Sequence, residues 1–239
     1  MIIPPLTGMP GEPLPYLLHT DWLLTSILFA CIMLASFTLS KEKKYLLQQL
    51  NTSLKSRKRS SMFDETSISN TYYKSLLIFH ACIMLGLCIY YYYTKNLPDL
   101  FTKIPNGWLF VGYTLCVSVF VYLKSLLYRF VNWIFFQKES NSRWITSFFN
   151  LLIWLGILLL PTVLVIVYFD ISSHIALMLM GIQIILAKIT LFCICFSNFF
   201  EKIHGALHLI LYFCALEILP DLILWKGIEL VSNNLILKL

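Results

Sequence analysis

The chain has 239 residues, of which 59% are hydrophobic and 13% charged, with a mean hydropathy of +0.77 and a formal net charge of +6. Soluble domains are about half apolar and about a quarter charged, and a chain this apolar would leave large greasy patches in water; a water-exposed globule is excluded and a bilayer is the solvent that fits. The basic residues lie between apolar stretches, with no basic face interleaved with aromatics, which argues against nucleic acid and for anionic lipid headgroups.

The first 21 residues form a tail holding Pro4, Pro5, Pro10, Pro13 and Pro15, five of the nine prolines, and proline at this density predicts extended chain. Its acidic residue, Glu12, and its lack of Lys and Arg do not match the basic start of a secretion signal. About 20 apolar residues cross the ~30 Å hydrocarbon core, and six stretches qualify: about 22–40, 73–93, 108–129, 145–169, 174–197 and 206–225. Between the first two lies a polar basic loop, 41–71, with a surface helix expected near Tyr45–Leu54 and a basic patch of Lys55, Arg57, Lys58 and Arg59. Tyr72 and Tyr73 at one end of the second span, and Tyr90 to Tyr93 at the other, are expected at headgroup level. The stretch 128–136 reads either as a continuation of the third helix or as an interfacial helix. Asp170 to Ser173 reads as a tight turn, and 227–239 as a short tail lying on the surface as an amphipathic helix. The expected fold is all-α: one transmembrane domain over 22–226, a polytopic bundle of about six helices.

Orientation follows from Lys and Arg. The side bearing the 41–71 loop collects 13 of the 18, the other side 4, and Lys188 remains inside the bilayer. The loop is therefore expected in the cytoplasm and both termini outside it.

Lys188 and Glu217 fall near the middle of the fifth and sixth spans. A charge there costs at least ~2.5–3.5 kcal/mol, so each requires a partner, and their similar depths predict a Lys188–Glu217 pair between adjacent helices. The pair reads either as glue that fixes helix packing or as a proton or ion relay. Pro220, three residues on, frees the carbonyl of Leu216 beside the carboxylate; Pro161 and Pro220 are both expected to kink their helices. His80, His204 and His208 form a polar relay candidate, the last two on one helix face, yet there is no H-E-x-x-H and no acidic cluster to make a metal or haem site. Gln183, Asn150, Thr114 and Ser118 are expected to make interhelical hydrogen bonds. The seven cysteines lie in spans without a C-x-x-C pair, so neither a disulfide framework nor zinc is expected, and no cofactor is called for.

Two stretches match at an offset of 64: Lys124 with Phe135-Phe136-Gln137-Lys138, and Lys188 with Phe199-Phe200-Glu201-Lys202. They read either as a tandem repeat of two-helix units or as a chance match of aromatic-rich segments. In a repeat Lys124 is the equivalent of Lys188, with Leu158 standing where Glu217 stands.

Glu201-Lys202-Ile203-His204, Leu207-His208, Tyr212, Cys214 and Glu217-Ile218-Leu219-Pro220 resemble the signature region of a family of polytopic inner-membrane proteins of Bacteroidetes, a domain-of-unknown-function family. The resemblance covers about residues 80–226 and is strongest over 186–226. It implies a bacterial inner membrane and a helical bundle, and no activity or catalytic residues. The expected function is a non-enzymatic subunit of a cell-envelope complex serving assembly, secretion or regulation, with the bilayer and other membrane subunits as partners. The alternative is a small transporter or proton-coupled device built on Lys188 and Glu217. A membrane enzyme would rest on Glu201, His204 and His208, a thin cluster for catalysis.

Overall fold

The computed structural model describes residues 21–54, 68–97, 101, 105–135, 138–169, 171–199 and 214–238. These residues form α1 (Trp22–Leu54), α2 (Ile68–Asn96), α3 (Asn106–Phe135), α4 (Lys138–Tyr168), α5 (Ser173–Phe199), a π turn (Cys214–Ile218) and α6 (Leu219–Lys238). The protein is all-helical, and five of its helices carry segments long and apolar enough to cross a membrane: Trp22–Lys41, Tyr72–Asn96, Asn106–Ile134, Asn141–Tyr168 and Ser173–Phe196.

Several boundaries differ from the sequence reading. α1 is capped by Asp21, whose Oδ1 accepts from the Leu23 amide at 3.0 Å. It then runs 33 residues to Leu54, through much of the expected loop. Residues 41–54 contain neither Gly nor Pro and are rich in Lys, Gln and Leu, so nothing in them ends a helix. The basic patch Lys55, Arg57, Lys58 and Arg59 lies outside the described residues. The stretch 128–135 continues α3. Pro161 lies inside α4, which is helical on both sides of it. The sixth expected span is described only from Cys214. From there the π turn passes into a helix that continues beyond 225 to Lys238, taking in most of the expected surface tail. Gly227 alone does not stop it, and Ile228 and Ser232 are buried against the bundle.

α2 is the central helix. Its closest approaches are made where side chains are smallest. A Cβ on Gly156 of α4 would sit 2.6 Å from the Ala81 Cα, and one on Gly86 would sit 2.5 Å from the Thr114 Oγ1 of α3. Gly86 meets Thr114 and, four residues on, Tyr90 meets Phe110, four residues back, so α2 and α3 are antiparallel. Tyr90, Tyr91 and Tyr93, expected at headgroup level, are buried. The reason is aromatic packing: Tyr93 stacks on Tyr113 with centroids 5.4 Å apart, and Tyr90 meets Phe101 edge-on at 5.2 Å.

α6 lies along α3 in the opposite direction. Its first residues stand near Lys124 and its Ser232 hydroxyl is 3.1 Å from the Tyr113 hydroxyl. Trp225 packs on Tyr92 at 4.9 Å. At about 1.5 Å per residue the 20 residues of α6 extend ~30 Å, but they begin deep in the bundle, level with Lys124, rather than at its edge.

The backbone approach at Gly156 has no room for a methyl group. Gly156→Ala is expected to lower stability by about 1–3 kcal/mol, read by thermal unfolding in detergent micelles. Gly181→Ala, where a Cβ meets nothing within 4 Å, is expected to leave stability unchanged or slightly raised.

Candidate functional site

Glu217 and Asp221 are four residues apart, which places both carboxylates on one helical face. That face is turned into the bundle by the junction between the π turn and α6. Pro220 stands second in α6, where the first turn tolerates a missing amide donor. The wider π turn ends two residues earlier at Ile218 and contains Glu217. Such insertions bend helices and recur at functional positions.

Two lysines meet these carboxylates. Lys188 Nζ, from α5, is 2.6 Å from Glu217 Oε2 and 2.5 Å from Asp221 Oδ2. Lys124 Nζ, from α3, is 2.7 Å from the same Glu217 Oε2 and 2.8 Å from Asp221 Oδ1. It also approaches the Glu217 carbonyl at 3.5 Å and lies 5.6 Å from the centre of the Phe120 ring. The four groups close a ring in which cation and anion alternate and each lysine touches both carboxylates. Its net charge is zero.

The ring is buried unevenly. The Lys124 and Glu217 side chains are 3% and 1% exposed, while those of Lys188 and Asp221 are 36% and 35% exposed. One pair is therefore sealed in the bundle and the other forms an open edge between α5 and α6. Lys124 lies four residues from the middle of Asn106–Ile134, and Lys188 fewer than four from the middle of Ser173–Phe196. At about 1.5 Å per residue both are within ~6 Å of mid-span. Alternation is what makes two charges of each sign tolerable at that depth, since each loses water and gains two counter-charges.

The expected Lys188–Glu217 contact is thus part of a larger arrangement. Lys124 had been counted with the loop-side cations, but it is buried because Glu217 and Asp221 draw its stem inward. The carboxylate that Lys124 lacked in its own hairpin is the Glu217 it shares with Lys188, while Leu158 is exposed. The signal for Lys124 was its match to Lys188, and the signal for Asp221 was its four-residue spacing from Glu217.

The other candidates are scattered. His80 is completely buried on α2 and neither ring nitrogen has a partner among the described residues. The antiparallel pairing of Tyr90 with Phe110 and Gly86 with Thr114 puts it level with about residue 120 of α3, one turn from Lys124. His204 and His208 lie outside the described residues. Gln183 does bond across helices, donating to Thr162 Oγ1 at 2.6 Å. Ser118 donates to the Thr114 carbonyl within its own helix at 2.8 Å and also meets the Cys82 side chain of α2. The Asn150 amide and the Thr114 hydroxyl have no partner among the described residues. The seven cysteines are free, and no cluster of three metal-ligating side chains occurs among the described residues.

A family model described as a domain of unknown function, DUF4271, matches residues 24–228. The chain belongs to the DUF4271 family. All four ring residues fall within the matched segment, so the site is part of the family's own domain. No curated protein and no solved structure matches the chain.

The energetics of the DUF4271 ring separate its members. Glu217→Gln leaves two lysines facing one remaining carboxylate, and is expected to cost about 3–5 kcal/mol. Asp221→Asn, at the open edge, is expected to cost much less, because solvent or neighbouring polar groups offset part of the loss. Denaturant unfolding of the purified protein, followed by tryptophan fluorescence, checks both values.

Proposed function

We propose that this chain, an integral membrane protein, is a non-enzymatic subunit of a cell-envelope complex in a bacterial inner membrane, docking through the flank formed by α5 and α6. The open edge of the ring carries this reading. On α5, Ile175, Met178, Ile182, Ile185 and Ile189 are all exposed and recur at alternating steps of three and four residues, the spacing of a helix–helix seam. Lipid tails satisfy those apolar side chains equally well. They cannot satisfy the one-third-exposed Lys188 and Asp221 beside them, whereas a partner helix bearing a polar group can.

A second reading, a small proton-coupled transporter, is favoured by one feature. α6 is entered through a π turn beside the charges, and irregular helical turns of this kind line the binding sites of many transporters.

The proposed orientation keeps both termini outside the cytoplasm. With Lys124 moved into the interior, the Lys and Arg balance supporting it is 12 against 4. A C-terminal alkaline phosphatase fusion is expected to be active and a C-terminal green fluorescent protein fusion dark; the reverse pattern contradicts the orientation. For the docking flank, a photo-crosslinking side chain at Ile185 is expected to give one discrete protein adduct in native membranes. The same probe at Trp108, exposed on α3, is expected to give none. Lipid adducts alone at Ile185 contradict the subunit reading.

A further inference from the structure

Both ammonium groups of the ring converge on a single oxygen of Glu217. Oε2 accepts from Lys124 at 2.7 Å and from Lys188 at 2.6 Å. Oε1 of the same carboxylate is buried and has no hydrogen-bond partner among the described residues. Asp221 differs, because its two oxygens are divided between the lysines, Oδ1 to Lys124 and Oδ2 to Lys188. A buried carboxylate oxygen facing two nearby cations would ordinarily be bonded, so a vacant oxygen on a side chain that is 1% exposed marks a place where the ring accepts something further.

We propose that Glu217 Oε1 is a proton-binding site, and that the ring exchanges one proton with water through the Lys188–Asp221 edge. The groups facing Glu217 are Lys124 from α3, Lys188 from α5 and Asp221 from α6, with His80 of α2 about level with them. An ammonium group has no lone pair to offer, and both Asp221 oxygens and Glu217 Oε2 are occupied as acceptors. A proton entering the ring therefore finds a free lone pair at Oε1. Hydronium donates that proton, an O–H bond forms at Oε1 and water leaves. Oε2 becomes the carbonyl oxygen of a carboxylic acid that still accepts from both lysines. The ring passes from net zero to one positive charge, and Asp221 becomes the sole anion shared by two cations. The open edge offers the route, because Asp221 and Lys188 are the ring members that are partly exposed. The inference stands on the ring alone and does not depend on the docking flank. A ring that alternates between neutral and cationic at the root of α6 couples proton uptake to how firmly that helix is held.

The test is infrared difference spectroscopy of the full-length chain in lipid nanodiscs as pH is varied across about 4–10. One carboxylic-acid carbonyl band is expected to grow as pH falls and to shift in deuterium oxide. Incorporation of isotope-labelled glutamate is expected to move it, and labelled aspartate to leave it in place. Glu217→Gln removes the band, whereas Asp221→Asn retains it at a changed midpoint. A spectrum with no titrating acid band, a band moved by labelled aspartate instead, or a band that survives Glu217→Gln overturns the proposal. The labelling experiments need no substitution, so they decide the matter even where Glu217→Gln fails to fold.

Discussion

A charged side chain held in hydrocarbon must bring its counter-charge with it, and that constraint organises this protein. Four ionisable side chains from three helices stand near mid-membrane depth, and each is tolerable there because the other three are present. The alternating ring fixes where α3, α5 and the start of α6 lie relative to one another. It demands a lysine stem from each of two helices and two carboxylates on one face of a third. The interruption at the π turn and Pro220 follows from the same demand, since it turns that face inward at the depth where the lysines can reach it.

The remainder of the bundle is held by packing rather than charge. α2 runs through the centre because Gly86 and Gly156 let its neighbours approach almost to backbone contact. The aromatic cluster of Tyr90, Tyr93, Phe110, Tyr113 and Trp225 ties α6 to α2 and α3 away from the ring. α6 is thus pinned at two separate places, by ions at its start and by aromatics and the Tyr113–Ser232 bond farther along. Its other faces are apolar and exposed, as suits contact with lipid or with a partner subunit.

Much of this was legible in the sequence and some was not, for definite reasons. Hydropathy gave the five described spans because a helix of about 20 apolar residues has few alternatives in a bilayer. It ended the first span near 40 and set a separate surface helix at about Tyr45–Leu54; those residues are helical, but as an unbroken continuation of α1, since Lys, Glu and Gln between them favour helix. That Tyr90, Tyr91 and Tyr93 turn their rings into the bundle was not legible, because belt statistics concern depth and not what a ring stacks against. Lys188 and Glu217 stood out as charges at mid-span. Lys124 did not, since a lysine within two turns of a span's end normally reaches the interface; only the three-dimensional position of Glu217 shows that its stem runs inward. Asp221, inside the same expected span, was not singled out, although its four-residue spacing from Glu217 places both carboxylates on one helical face.

The central claim is that the ionic ring fastens the beginning of α6 to α3 and α5. The most direct test is a pulsed electron-spin distance measurement in nanodiscs between labels at Leu126 on α3 and Leu222 on α6, both exposed near the ring, in a background with the seven native cysteines replaced. With the ring intact, one narrow distance distribution is expected, and with Glu217→Gln in a chain that retains its helicity the distribution should broaden and lengthen. An equally narrow, unmoved distribution in that variant would contradict the account, because α6 would then be held in place without the charges.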